Sequence, residues 1–346
     1  MRRILFLILL LALLVLPVSA DSADIPEAPP DAQPYMPDHT ESFAEGLLFV
    51  LRSAIQGILP ESRPAMAASL SVIVVAVLTG ILASFTDQND RVIGVAGIFA
   101  VSLILMEPSN VMIQLGRQTI AQITEYGKLL LPVMAGAMVS EGGITTATAL
   151  YAGTAFLNSV LCSLIMNVGL SLVFIFLILS IAKNLTQQPL IIKIQKFIKW
   201  LITWSLKIIL YVFTGYMAIT GVVSGATDAA ALKATKLTIS GMVPVVGNIL
   251  SDASEAILVS ARLMKNAAGI YGLIAFVAIL AAPFFKIAIQ YLLLKLSAAL
   301  CASFSLKSIS GITEDFSSAM GFTLAMTGSV CLFQLISTIC FMKGFT

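Results

Sequence analysis

Histidine is almost absent: the 346-residue chain has one, His39. That leaves no candidates for His-based acid–base catalysis, an HExxH zinc site or a Ser-His-Asp triad. Charge is scarce too, at 11% of residues against about 25% in an average globular domain. A soluble domain would have too little polar surface to cover a chain that is 58% apolar with a mean hydropathy of +0.99. The surplus apolar area must face lipid. The four cysteines, Cys162, Cys301, Cys331 and Cys340, fall in apolar runs without a CxxC pair and read as packing residues, not as redox or metal ligands. There is no Walker-type phosphate loop and no pair of aspartates clearly inside apolar runs. A net charge of +2 and a pI near 8.3 are too mild to suggest nucleic acid. The sequence predicts an all-α polytopic transmembrane helical bundle that is not an enzyme and holds no cofactor or metal. Membrane lipid is the partner that this composition requires, with a homo-oligomer admitted beside it.

The N-terminal end reads as export. Met1-Arg2-Arg3, the apolar run 4–16 and the small Val18-Ser19-Ala20 predict a signal peptide over 1–20, cleaved between Ala20 and Asp21. An uncleaved anchor is the alternative, but a span needs about 20 apolar residues. Residues 21–66 carry eight acids against Arg52 and Arg63, which predicts an exported acidic arm. Its first part, to about Thr40, is expected to be disordered. Phe43, Leu47, Val50, Leu51, Ala54 and Ile58 then recur at helical spacing, as in an amphipathic helix lying on the membrane or on a partner.

Residues 67–346 form the membrane domain. Runs at 67–85, 92–107, 144–162, 164–182, 208–223, 267–283, 284–305 and 317–342, with an interrupted run at 129–140, predict seven to nine spans. Lys183, Lys193, Lys196, Lys199 and Lys207 have no acid among them, and the positive-inside rule holds this stretch cytoplasmic. An odd number of crossings must then precede it. A five-span arrangement satisfies that parity, and so does one in which 129–158 is a re-entrant hairpin. Continuing along the chain puts an outer amphipathic region at 224–266 and the C-terminal Lys343 inside. Residues 189–207 set lysines beside Phe197, Trp200 and Trp204, the pattern of a basic interfacial helix leading into a span. It reads as an anchor at anionic headgroups or as a docking site for a cytoplasmic protein.

Two short segments echo each other. Pro132 and Gly136, followed by Glu141, reappear as Pro244 and Gly247, followed by Asp252. Pro and Gly inside apolar runs release backbone groups that lipid cannot satisfy, so paired interruptions point to a transport site in a parallel internal repeat. Asp252, Glu255 and Arg262 fall within about 80° of one helical face. They read as a gating or ion-coupling cluster, or as ordinary charge pairs on a solvated outer helix. Glu107-Pro108, Glu141, Lys286, Gln290 and Lys295 are helix-end or snorkelling groups first and pathway residues second. Gly221 with Gly225, and Gly269 with Gly272, would let helices approach closely.

The stretch GMVPVVGNILSDASEAILVSARLMKNAAGIYGL over 241–273, followed by Pro283, Lys286 and the apolar segment 295–300, resembles stage III sporulation protein AE of endospore-forming bacteria. With the signal sequence, acidic arm and later spans in the same order, the likeness covers most of the chain from about residue 60. It implies a place in the mother-cell membrane complex around the engulfed forespore. There, other stage III sporulation A-operon proteins and stage II sporulation protein Q are thought to build a channel or secretion-like apparatus. The resemblance carries no catalytic residues. Two other classes stay open: an independent secondary transporter using Asp252, Glu255 and Arg262, and a scaffold that only anchors other subunits.

Overall fold

The structure, a computed structural model, describes residues 26–37, 43–61, 63–85, 90–140, 144–219, 267–303 and 307–343. Among the described residues there is no strand. A 3-10 turn (Gln33–Tyr35) precedes α1 (Phe43–Glu61), α2 (Arg63–Ser84) and α3 (Asp90–Ser140). Helix α4 (Ile144–Ser163) runs through a π-helical turn (Leu164–Gly169) into α5 (Leu170–Thr186), and α6 (Pro189–Ile219), α7 (Ala267–Ser303) and α8 (Lys307–Lys343) complete the bundle.

Six helical stretches among the described residues are long and apolar enough to cross a membrane: Arg63–Ser84, Val92–Gly136, Tyr151–Thr186, Pro189–Met217, Gly269–Ser303 and Ser308–Met342. The protein is thus an all-α polytopic membrane bundle, with six such stretches among the described residues. The 144–162 and 164–182 runs are one helical rod, 267–283 and 284–305 are another, and 92–107 and 129–140 both lie in α3. The dips in hydropathy that divided these runs are polar faces of helices that continue, because the backbone ladder does not depend on side-chain polarity. Pro108, Pro132 and Pro283 sit inside helices. Each removes one ladder bond without ending its helix, because packed neighbours hold the chain.

Helix α8 is the hub. Its apolar window is 94% buried, against 22% for that of α6. Small residues on either side let the other helices close on it. A Cβ on Gly116 of α3 would stand 2.5 Å from Thr323 Cγ2, and one on Gly127 would stand 2.5 Å from Gln334 Oε1. The hydroxyls of Thr313, Thr323, Ser329, Ser337 and Thr338 bond carbonyls one turn back, so α8 buries many polar side chains at little cost. The four cysteines are all buried, in agreement with a packing role.

The helices alternate in direction. Lys183, Gln195 and Asp315 meet near the turn at 187–188 and the start of α8. At the opposite end Gly269 lies against Met342, and Tyr271 Oη accepts a bond from the Ala28 amide. The end of α8 and residues 26–36 therefore share one end of the bundle. The expectation of Lys343 opposite the N-terminal arm does not fit this packing, in which Met342 and Ala28 both lie against the first turns of α7.

The expected disorder up to Thr40 does not hold for residues 26–37. Ala28 and Ala32 are buried, Tyr126 Oη donates to the Pro26 carbonyl, and Gln122 Nε2 donates to Asp31 Oδ2 at 2.8 Å. Short side chains and fixed proline φ angles let this segment dock without a large ordering cost. Helix α1 forms as its spacing predicts, burying Phe43, Val50, Ala54 and Ile58 and packing mainly on α7.

Candidate functional site

The 51-residue α3 is about 75 Å long, more than twice the roughly 30 Å hydrocarbon core of a bilayer. Its outward face is apolar at first: Val92, Val95, Phe99, Leu103 and Met106 are exposed. One helical turn later the same side becomes mainly polar, with Glu107, Asn110, Gln114, Gln118, Glu125 and Lys128 exposed beside Val111 and Leu129. Most of these positions recur every three or four residues, Leu103 leading to Glu107 and Met106 to Asn110, so a single stripe changes character at Met106/Glu107. A row of exposed amides and charges is not tolerated against lipid tails. The stripe marks where α3 leaves the hydrocarbon. Helix α2 agrees: its exposed Met66, Leu70, Val74 and Leu78 run along a 22-residue helix, about 33 Å long, one bilayer core. The outer half of α3, with α1 and the 26–37 segment docked beside it, then stands beyond the membrane.

At the other end, α5 stops in one turn. Gln187 adopts a left-handed conformation (φ 54°) and its N–H bonds the Lys183 carbonyl at 2.9 Å, a cap that closes the helix. Pro189 then opens α6 at the first helical position, where its missing N–H is not needed. Lys193, Lys196, Lys199 and Lys207 are exposed on α6, as expected for a basic interfacial helix. Phe197, Trp200 and Trp204 stack along the same side, with ring centroids 5.8 and 5.4 Å apart. Lysines beside indoles are the side chains that settle at a membrane interface.

Beneath this basic face lies a buried carboxylate. Asp315 of α8 accepts from Lys183 Nζ at 2.5 Å and Asn184 Nδ2 at 3.2 Å, both from α5, and from Gln195 Nε2 of α6 at 3.1 Å. Gln195 also donates to Ser180 Oγ, and Asn184 to the Ser180 carbonyl. One anion thereby ties three helices together, with opposite charge and hydrogen bonds compensating its burial. Next to it Lys295 pairs with Glu314, half exposed on both sides. A second polar knot lies toward the opposite end, where Asn158 Nδ2 donates to Gln334 Oε1 at 3.3 Å and to Ser337 Oγ at 2.9 Å.

Of the residues singled out in the sequence, Pro132 and Gly136 lie in the unbroken last turns of α3, beside the buried Leu131 and Met134. The interruption expected there is absent, and 129–140 is continuous with the rest of α3. Glu141, Pro244, Gly247, Asp252, Glu255 and Arg262 lie outside the described residues, as do Ala20, Asp21 and the Gly221/Gly225 pair. The close approach at Gly269 and Gly272 is present: a Cβ on Gly272 would stand 2.5 Å from Leu130 Cδ2. The Asp315 network was not anticipated. The signal for it was an acid at the edge of one apolar run and Lys183 at the edge of another, two edges that helix alternation brings to the same end.

The stage III sporulation protein AE family model matches residues 48–344. Among curated proteins, the chain is similar to "Stage III sporulation protein AE" of Bacillus subtilis (strain 168), with 26% identity over 204 residues. The match takes in 59% of this chain and 51% of that protein, so the chain spans about half the length of the curated relative it matches. No solved structure matches.

Proposed function

The chain belongs to the stage III sporulation protein AE family, and from that premise we propose that it is the membrane core of a sporulation channel or secretion-like complex between mother cell and forespore. In this reading it sits in the mother-cell membrane around the forespore and supports late forespore development. It binds other stage III A-operon proteins and stage II sporulation protein Q, and it carries out no catalysis itself. The observation that carries the reading is the change of character on α3 at Glu107. A solute carrier needs little beyond the bilayer, whereas this chain projects a long packed helical crown past it, a surface on which exported parts of other subunits can assemble. The lysines and indoles of α6 hold the opposite end at the cytoplasmic leaflet. In this reading residues 26–36 and the end of α8, which share one end of the bundle, face the exported side.

Purification of the tagged full chain from sporulating cells, with identification of every retained protein, tests this. The expected result is a complex containing stage III A-operon proteins. Exchanging the crown charges by Glu125→Lys and Lys128→Glu should release those partners while the chain still inserts. A chain that purifies alone and moves a solute unaided in liposomes would put the independent transporter in place of this reading.

A further inference from the structure

Where α3 turns polar, the bundle holds a cavity of about 400 Å³ between the start of α2 and the middles of α3 and α7. Its wall includes Pro64, Glu107, Val111, Lys286, Ile289 and Gln290. Pro64 and Val111 are exposed and form its rim. The volume lies within the range of small-molecule sites. Most of the wall is apolar, and three polar side chains enter it from two helices: a carboxylate from α3, and an ammonium and an amide from α7.

Gln290 makes the cavity more than a packing gap. The residue is 1% exposed, and its Nε2 has no hydrogen-bond partner. An amide N–H left unsatisfied in a protein interior is costly and uncommon. A ligand oxygen in the cavity would satisfy it. Glu107 forms no direct ion pair among the described residues, so its carboxylate is open to an incoming cation. The cavity's depth identifies the source of such a ligand. Pro64 lies in the first turn of a helix one hydrocarbon core long, and Met66, two residues further on, begins the exposed apolar stripe of α2. The rim thus opens at the level of the lipid headgroups, beside the acyl region.

We propose that this cavity binds the headgroup of a phospholipid bearing both a primary ammonium and a phosphate. The ammonium bonds the Glu107 carboxylate, a phosphate oxygen accepts from Gln290 Nε2 beside the positive charge of Lys286, and the acyl chains run down the apolar face of α2. The same chemistry could come from a free aminoalkyl phosphate. The rim's position at the lipid surface favours the lipid.

The test is native mass spectrometry of the delipidated full chain in detergent, titrated with phosphatidylethanolamine, phosphatidylcholine, phosphatidylglycerol and free O-phosphoethanolamine. Phosphatidylethanolamine should bind at least about tenfold more tightly than the other two lipids, since trimethylation or loss of the ammonium removes the charge-assisted bond to Glu107. Glu107→Gln should abolish that preference. Gln290→Leu should weaken phosphatidylethanolamine several-fold while the lipid-free chain keeps or raises its thermal midpoint, because the orphan amide is gone. Lipids retained by the chain before delipidation should be enriched in phosphatidylethanolamine relative to the source membrane, a readout that needs no variant. Equal binding of the three lipids, wild-type binding by both variants, or absence of enrichment would overturn the proposal. Free O-phosphoethanolamine binding as tightly as the lipid would replace the lipid with a soluble ligand.

Discussion

Replacing Asp315 with alanine removes the one acceptor shared by Lys183, Asn184 and Gln195. The two amides keep a second partner each, in Ser180, so the cost concentrates on Lys183. Its side chain is 22% exposed and that of Asp315 is 10% exposed. Deleting one partner of a buried pair costs about 3–5 kcal/mol. Lys183 lies in the last turn of α5 and can stretch toward water, which puts Asp315→Ala near the lower bound, about 3 kcal/mol. Its sequence neighbour provides the control. Glu314 pairs with Lys295 where both side chains are half exposed, and Glu314→Ala should cost about 0.5 kcal/mol. The difference, about 2.5 kcal/mol, is on the order of a 70-fold change in the unfolding constant. Unfolding in mixed micelles by titration with sodium dodecyl sulfate would resolve it. Replacing the pair by Lys183→Met with Asp315→Leu should recover most of the loss, because an apolar pair carries no desolvation penalty. Equal midpoints for Asp315→Ala and Glu314→Ala would refute the argument that this carboxylate locks α5, α6 and α8.

Gly116→Leu should destabilise by about 3 kcal/mol or more, since the new side chain meets Thr323 and Thr327 at the hub; the same unfolding titration measures it. Gly136→Ala meets nothing within 4 Å and should be neutral or stabilising by up to about 1 kcal/mol; sporulation lost at unchanged stability would instead restore Gly136 as a pathway residue. Gln187→Gly relieves a left-handed non-glycine residue and should raise the unfolding midpoint by the equivalent of about 0.5 kcal/mol. Asn158→Ala breaks two bonds to α8 and should cost about 1–2 kcal/mol.

The membrane class, the α1 helix and the basic interfacial helix were legible because each depends on local composition or periodicity. The 241–273 block carried the family resemblance by residue identity alone, although the structure describes only its last residues. The merging of neighbouring apolar runs into single helices was not legible. Hydropathy alone cannot distinguish a loop from a helix whose outer half is wetted on one face, as in 108–128 of α3, nor a break at Pro283 from a helix that runs through it. The Asp315 network was hidden because Lys183 and Asp315 are far apart in sequence, and only the alternation of packed helices makes them neighbours. Residues 26–37 read as disordered from their prolines and acids, yet their small side chains dock on tyrosines contributed by α3 and α7.

The exit of α3 from the membrane at Met106/Glu107 toward the exported side can be read directly by chemical labelling. Single cysteines placed at Val95, Phe99, Leu103, Asn110, Gln114, Gln118 and Glu125, in a chain with Cys162, Cys301, Cys331 and Cys340 replaced, would be exposed to a membrane-impermeant maleimide added outside. Labelling should be absent through Leu103 and strong from Asn110 onward. A stripe unreactive along its whole length, or labelled only from the cytoplasmic side, would contradict the account.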